Sequence, residues 1–362
     1  MSCLQLIINP GSTSTKLAIY DGTEKKLQYS LDHNKEDLLQ FEQIADQVPY
    51  RLALIRDFMA QNGIKPSDLS AVVGRGGLVF GLTTGGYVVD DNLCTALVDH
   101  RWSQPHASNL GGLLAKQIAD EAGIPAFIYD AVTSGDLSPV AKITGMPDIQ
   151  RRSFCHVLNS RAMAFRYAKE QGKRIEDMNL IVMHLGGGCS ACVLEQGRII
   201  DSVGDDDGHF SPERAGSFPS LALVPLCFSG KYTEKELLKK IRGKGGMYAY
   251  LGTSDAREIE KRIQAGDEQA ETIYRAEAYQ ISKTIGMLSV VLGGRYDAII
   301  LTGGMAYSKL LTDRIKDYAG FLAPVVVIPG ENEMEALAQG GLRLLTGQEQ
   351  ANVYHLPERK EL

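Results

Sequence analysis

Residues 7–22 and 182–197 of this 362-residue chain carry one layout twice, and a chain that repeats itself at half its own length has few folds open to it. The first copy runs Ile7-Ile8-Asn9-Pro10-Gly11-Ser12-Thr13-Ser14-Thr15-Lys16 and on through Leu17-Ala18-Ile19-Tyr20 to Asp21-Gly22. It reads as an apolar strand, a Gly/Ser turn, a second strand and a glycine turn. The second copy runs from Val182-Met183-His184-Leu185-Gly186-Gly187-Gly188 to Gln196-Gly197. It follows at a constant offset of 175, so that Asn9 falls on His184, Gly11 on Gly186 and Gly22 on Gly197. A duplicated β-hairpin opening each of two similar domains is the simple reading; two unrelated hairpins that share turn chemistry is the other. Length agrees with two domains, since single cores stop growing near about 250–300 residues.

Elsewhere strand and helix patterns alternate, which argues for α/β architecture. Residues 70–73 form a short apolar run ending in Gly74-Arg75-Gly76-Gly77. Residues 108–122 read as a helix with Leu110, Leu113, Leu114 and Ile118 on one face, stopped by Gly123 and Pro125. Residues 126–129 read as a buried strand with Asp130 at its end, and 160–169 as a helix. In the second half, helices are expected over 236–242, 268–291 and 335–345, and strands over 297–301 and 325–328. The Pro- and polar-rich stretch 138–152 is the expected hinge, giving domains of 1–150 and 151–333.

The bulk numbers remove several classes of function. A net charge of −6 and the lack of any Lys/Arg block leave no nucleic-acid footprint. Residues 1–10 lack the regions of a signal peptide. Apolar runs such as 221–228 are broken by Pro and fall far below the roughly 18 residues a membrane span needs. The final Arg359-Lys360-Glu361-Leu362 is only loosely like a retention tetrapeptide and has no meaning without a signal peptide. Six cysteines scattered through apolar segments suit reduced thiols and a cytoplasmic protein. Cys189 and Cys192 form a C-x-x-C with no second pair, and on a strand they face opposite ways, so they read as structural.

Three glycine-containing turns are candidates for phosphate contact. In the first, Ser12, Ser14 and Lys16 offer hydroxyls, N–H groups and a positive charge to a terminal phosphate. A second strand follows it, unlike the helix that follows G-x-x-x-x-G-K-[ST]. The second is His184-Leu185-Gly186-Gly187-Gly188; three glycines between apolar strands weaken a sheet and need a reason, which close approach of a di- or triphosphate supplies. The third, Thr302-Gly303-Gly304, follows a buried strand, where a nucleotide can lie against bare backbone. Ordinary hairpin and β–α turns are the bland alternatives. No strand leads into a G-x-G-x-x-G fingerprint. Between the turns lie Arg75 among glycines, Arg214 in a turn, His106 after Pro105, His156, and Asp130 at a strand end. The acidic run Asp205-Asp206-Asp207 reads as a solvated loop rather than a metal site.

Taken together these motifs resemble the acetate and butyrate kinase family, from Asn9 to about Leu345 and in the family's order. The Asn9 to Lys16 turn is similar to its first phosphate loop, His184 to Gly188 to its second, and Thr302-Gly303-Gly304 to its adenosine loop. Pro329, Asn332 and Glu333 match the pattern after its last strand, with one extra residue between. Gly187, where acetate kinases usually carry Asn, tilts the likeness toward the butyrate branch. So do Gly74-Arg75-Gly76-Gly77, Ser211-Pro212-Glu213-Arg214-Ala215-Gly216 and the short span from Phe210 to Arg214. The resemblance implies two duplicated ribonuclease H-like domains of the actin and Hsp70 kind with a nucleotide cleft between them, the first completed by a C-terminal helix, 334–362. It implies ATP, Mg²⁺ and a short-chain carboxylic acid as partners, no membrane, and a homodimer or higher homo-oligomer. It makes Asp130, Arg214, His156, Arg75 and His106 catalytic. Ser12, Ser14, Lys16, His184, Gly186, Gly187, Gly188, Gly303 and Gly304 would bind nucleotide, and Asn9 and Glu333 would lie near the metal. The family's first catalytic Arg lies a few residues earlier, at Val72, and Arg75 is taken in its place. At His209 the chain departs from the family's Asp-Gly-Pro-Phe. A sugar kinase on the same scaffold and a non-catalytic nucleotide-gated module are the competing readings.

Overall fold

The computed structural model describes residues 3–356, so the tetrapeptide 359–362 lies outside the described residues, and the helix expected over 334–362 ends instead at Leu345, with residues 346–356 non-helical. The chain forms two compact units, one from the residues up to Ser134 and from Asn332 on, the other Gly135–Glu331. The first unit holds a sheet of six strands, β1 (Leu4–Pro10), β2 (Ser14–Asp21), β3 (Glu24–Asp32), β4 (Ala71–Arg75), β5 (Gly86–Val88) and β6 (Ala126–Tyr129), in the order β3-β2-β1-β4-β6-β5. The first three form an antiparallel meander, while β4 and β6 run parallel to β1. The three parallel strands are apolar almost throughout, as strands covered on both faces must be. One face takes the helix Leu110–Ala122 through Leu110, Leu114 and Ile118, and Gly123 ends it in a left-handed turn. The helix Glu333–Leu345 packs on β1, β2, β4 and β6.

The second unit repeats the plan with β7 (Asn179–Leu185), β8 (Cys189–Glu195), β9 (Arg198–Val203), β10 (Ala298–Thr302) and β11 (Val325–Val327), in the order β11-β10-β7-β8-β9. Meander and parallel pairings recur in the same places. The topology is therefore the doubled ribonuclease H-like arrangement, with β7 starting and ending 175 residues after β1. The repeat is not residue for residue across the turn. Pro10 pairs with Thr15 in the first hairpin, but Leu185 pairs with Cys189 in the second, whose turn is one residue shorter. Ser190, not Ala191, thus stands opposite His184 as Lys16 stands opposite Asn9.

Cys189 and Cys192 point into different core layers of the second unit, as their spacing on a strand requires. The first crossing of the chain between units falls at Ser134–Gly135, ahead of the stretch 138–152. That stretch is tied to the second unit: the Asp136 and Ser138 N–H groups donate to the carbonyls of Ile199 and Ile200, and Arg151 pairs with Asp201.

Candidate functional site

In the first unit the parallel strands end side by side. Ile8 pairs with Gly74 and Arg75 with Tyr129, so Asn9, Arg75 and Asp130 occupy adjacent strand ends, where open α/β sheets carry their ligands. Glu333, in the first turn of the C-terminal helix, joins them. Its Oε2 accepts from Asn9 Nδ2 at 2.8 Å, its Oε1 forms an ion pair with Arg75, and Arg75 lies 3.4 Å from Asn9 Oδ1. Backbone contact fixes Arg75: a Cβ on Gly74 would lie 2.2 Å from the Gly111 carbonyl oxygen, and one on Gly111 2.4 Å from that of Arg75. Asp130 is buried and has a φ of 44°, a left-handed conformation that costs a non-glycine residue of order 1–3 kcal/mol and clusters at functional sites. Gly85 holds it there, donating its N–H to Asp130 Oδ1 at 3.0 Å and accepting the Asp130 N–H at 3.1 Å.

The turn before β2 is braced from below. The buried Arg51 donates to the carbonyls of Gly11 and Ser14 (3.0 and 3.2 Å) and to Thr15 Oγ1 (2.9 Å). Burial lowers its pKa only to about 10, so it stays charged at neutral pH. His33, 2.8 Å from Thr15 Oγ1, is brought down to about 4 by burial and by Arg51, and is neutral. Ser12 and Lys16 remain exposed on the outer side. His106 is also exposed; its Nδ1 lies 2.7 Å from Ser108 Oγ, on the turn leading into the helix Leu110–Ala122.

The second unit gathers its candidates more tightly. His184, buried near the end of β7, accepts at Nδ1 from Asn159 Nδ2 at 3.0 Å, which puts its proton on Nε2, 3.4 Å from Glu331 Oε2. Asn159 also donates to Thr302 Oγ1 at 3.2 Å. Burial, and then the neighbouring His156, hold the His184 pKa well below the ordinary value. The two imidazoles stack at 3.8 Å and 8°. Ser190 Oγ accepts the His156 backbone N–H at 3.0 Å and holds its Nδ1 at 2.8 Å, which fixes the orientation of the ring.

The Gly186–Gly188 turn rests on residues 211–214: the Gly187 carbonyl accepts from Ser211 Oγ (2.8 Å) and from the Glu213 N–H (3.1 Å). Arg214 lies beside Gly188, and its Nε donates to Asp205 Oδ2 at 3.0 Å. Gly303, at φ 88°, crosses the end of β7 so closely that a Cβ would lie 2.3 Å from the Leu185 carbonyl oxygen, while Gly304 faces open space. His156, His184, the glycine turn, Arg214 and Gly303 thus stand together in one unit.

Two expectations change. The acidic run is no solvated loop: Asp205 clamps Arg214 and Arg242, and Asp207 pairs with Arg151 at 3.3 Å. His209, unlike a proline, is buried and sits 3.2 Å from Thr284 Oγ1; burial pulls its pKa to about 4. Sequence reasoning missed Arg51, Asn159, Ser190 and Asp205. For Asn159 and Ser190 a signal exists, a polar residue set in an otherwise apolar face. As for a metal, no group of three or more His, Cys, Asp or Glu is arranged around one point among the described residues. Glu333 with Asn9 is the carboxylate and amide pair on offer, which suits an ion bound through one carboxylate and substrate phosphates.

The model of the acetokinase family matches residues 149–316. The chain is 47% identical over 351 residues to butyrate kinase 1 of Clostridium acetobutylicum, covering 96% of this chain and 99% of that protein. It is 46% identical over 350 residues to a probable butyrate kinase 2 of Caldanaerobacter subterraneus subsp. tengcongensis, at the same coverage. In structure it resembles the acetate kinase of Porphyromonas gingivalis, with a TM-score of 0.77 at 16% identity over 95% of this chain and all of that one. A propionate kinase of Francisella tularensis gives 0.74 at 17%, over 93% of this chain and 98% of that one.

Proposed function

The chain belongs to the acetokinase family, and from that premise we propose that it is a butyrate kinase, transferring the γ-phosphoryl group of ATP to the carboxylate of butyrate or a branched acid such as isobutyrate. The products are the acyl phosphate and ADP, and the step is reversible. The observation that carries this reading is the cluster of His156, His184, Arg214 and bare glycine backbone at the strand ends of the second unit, beside relatives named for butyrate.

The acceptor carboxyl has a pKa near about 4–5 and is ionised at neutral pH, so no base need take a proton. The barrier is electrostatic: at about 4 Å two unit charges repel by about 4 kcal/mol at an effective dielectric of 20. Cations and aligned donors offset that repulsion. Arg214, aimed by Asp205, and His156, aimed by Ser190, serve the transferring phosphoryl group. Neutral His184 and the turns at Gly186, Gly187, Gly188, Gly303 and Gly304 take the nucleotide. Ser12, Ser14 and Lys16 take a terminal phosphate. Arg75 and His106 attend the acid, and Asp130 orients cationic groups rather than abstracting a proton. The second unit is thus the nucleotide-binding domain, and the first, completed by the C-terminal helix, the acyl domain. Mg²⁺ would be held through Glu333 and Asn9, neutralising phosphate charge when bound. The six free thiols suit the cytoplasm, and no helix among the described residues is long and apolar enough to cross a membrane.

Trapping with hydroxylamine tests the reading, because an acyl phosphate yields a hydroxamate and a sugar phosphate does not. Rates across acetate, propionate, butyrate, isobutyrate and valerate should peak at the four-carbon acids. ATP turnover that ignores every acid would defeat the proposal.

A further inference from the structure

Two strand ends of the second unit meet under one helix. Thr302 stands opposite His184 in the parallel register of β10 and β7. Strand alternation puts both on the sheet face that carries Leu180, Val182, Ala298 and Ile300, the face covered by the helix Val157–Glu170. That helix turns apolar residues such as Val157 and Ala164 onto the sheet, with one amide between them, the buried Asn159. The hydrogen bonds that follow have one direction. A carbonyl only accepts, so the single hydroxyl proton of Thr302 goes to the Gly330 carbonyl at 3.1 Å. Thr302 Oγ1 then accepts from the Asn159 atom 3.2 Å away, which makes that atom Nδ2. The same Nδ2 lies 3.0 Å from His184 Nδ1. Its protons are both committed, so Nδ1 accepts, and the neutral imidazole carries its proton on Nε2.

We propose that Asn159 is a positioning residue for nucleotide binding: it decides which nitrogen of His184 donates and aims that N–H at a phosphate oxygen of ATP. The inference rests on the nucleotide role proposed above for the second unit. An ionised phosphate oxygen accepts hydrogen bonds, and a ring nitrogen that met it with a lone pair would repel it. Nε2 stands at the glycine turn, where a Cβ on Gly186 would lie 3.3 Å from it. It faces Glu331 Oε2 at 3.4 Å, too long for a strong hydrogen bond, on a side chain that is half exposed. Asn159 also couples two loops. Gly330, whose carbonyl ends the chain of bonds, exchanges backbone hydrogen bonds with Gly303 in both directions, at 3.2 and 2.9 Å. The amide thereby holds the imidazole at the Gly186–Gly188 turn in register with the Gly303 crossing. An amide with only a packing role would serve as well turned over, with Oδ1 accepting from Nδ1.

Nitrogen NMR of the histidine rings in the full chain reads the proton directly, with the His184 signals assigned by their loss in His184→Gln. At about pH 7 the wild type is expected to show a bare Nδ1 and a protonated Nε2. Saturation with ATP should move the Nε2 signal and leave Nδ1 bare. Asn159→Asp keeps the shape of the side chain and replaces its donor with an acceptor. It should bring a proton onto Nδ1 and weaken ATP binding, measured by calorimetry with no acid present, by roughly tenfold or more. Should that variant fail to fold, the wild-type spectra decide. A wild-type proton on Nδ1 overturns the proposal, as does a folded Asn159→Asp protein whose Nδ1 stays bare. So does an Nε2 signal that bound ATP does not move. A wild type with the expected tautomer that binds no ATP overturns the nucleotide reading and the phosphate contact with it. Since no acid is present, a wrong assignment of the acid would leave every one of these results in place.

Discussion

Arg214 presents a guanidinium whose Nε is spent on Asp205 at 3.0 Å while its side chain stays partly exposed beside Gly188, the posture of a group held for an anion that arrives later. Arg214→Ala should therefore cut kcat by roughly 100-fold or more, the loss seen when one donor to a developing charge is removed, with ATP affinity changed far less. Asp130→Asn should also be nearly inactive; wild-type turnover in either variant removes that residue from the chemistry. Both positions could be picked out as candidates in the sequence, at a turn and at a strand end, with their roles implied only by the family resemblance. The groups that aim Arg214 and His156 could not. Asp205 looked like one of three solvated acids, and Ser190 like one more small strand residue, because their partners lie on other elements. Glu277 was equally silent. It is wholly buried on the helix Glu268–Ser289, near Cys189 and Tyr274, and neither carboxyl oxygen has a partner among the described residues. Burial raises its pKa from 4.5 to about 8. The folded state then keeps a proton that the unfolded chain has lost, so stability is full below the unfolded value and is lost as pH rises through about 8. The stake is of order a few kcal/mol. Glu277→Gln should flatten the fall in Tm between about pH 5 and 8; parallel curves for variant and wild type would show that Glu277 holds no such proton.

At the scale of elements, what was legible followed burial. β1, β7, β6 and β10 are apolar runs closed by turn residues; the reading of β6 and β10 matches the structure to within a residue, while β1 and β7 begin three residues ahead of the runs read from Ile7 and Val182. β3 escaped because Glu24, Lys25, Lys26 and Gln28 interrupt it, leaving only Leu27, Tyr29 and Leu31 on its inward face, and the helix Val48–Gln61 because its buried stripe includes Arg51. The offset of 175 exposed the duplication but concealed the shorter second turn, since the strand starts align whether the turn holds four residues or three. The glycine turns, alike in composition, differ in what they tolerate. A Cβ on Gly187 would meet nothing nearer than Glu213 at 3.7 Å, whereas at Gly303 it would strike the Leu185 carbonyl oxygen from a φ of 88°. Gly187→Ala should fold normally and raise KM for ATP by narrowing the open side. Gly303→Ala should lower Tm as well, through backbone strain of order 1–3 kcal/mol and the clash at Leu185. If Gly303→Ala melts with the wild type, that crossing is looser than its geometry says.

Over the whole molecule, the duplicated halves are not built from equal lengths of chain. The second unit is continuous, whereas the first closes only when the helix Glu333–Leu345 returns from the far end of the sequence to cover β1, β2, β4 and β6. Sequence patterning found that helix through its apolar period and its stop at Gly347. Its destination is a contact across some three hundred residues, which no local window contains. The arrangement makes one side chain a probe of the closure. Leu337 is fully buried on that helix, and the chain's single tryptophan, Trp102, lies in the first unit's core. Leu337→Ala should cost about 2–5 kcal/mol, and the loss should appear as a lower denaturant midpoint in Trp102 fluorescence. Amide exchange in β7 and β8, whose core residues belong to separate clusters, should keep its wild-type protection. A Trp102 midpoint that does not move would place the helix outside the first unit's cooperative core. Equal deprotection of β7 and β8 would show that the two cores unfold as one.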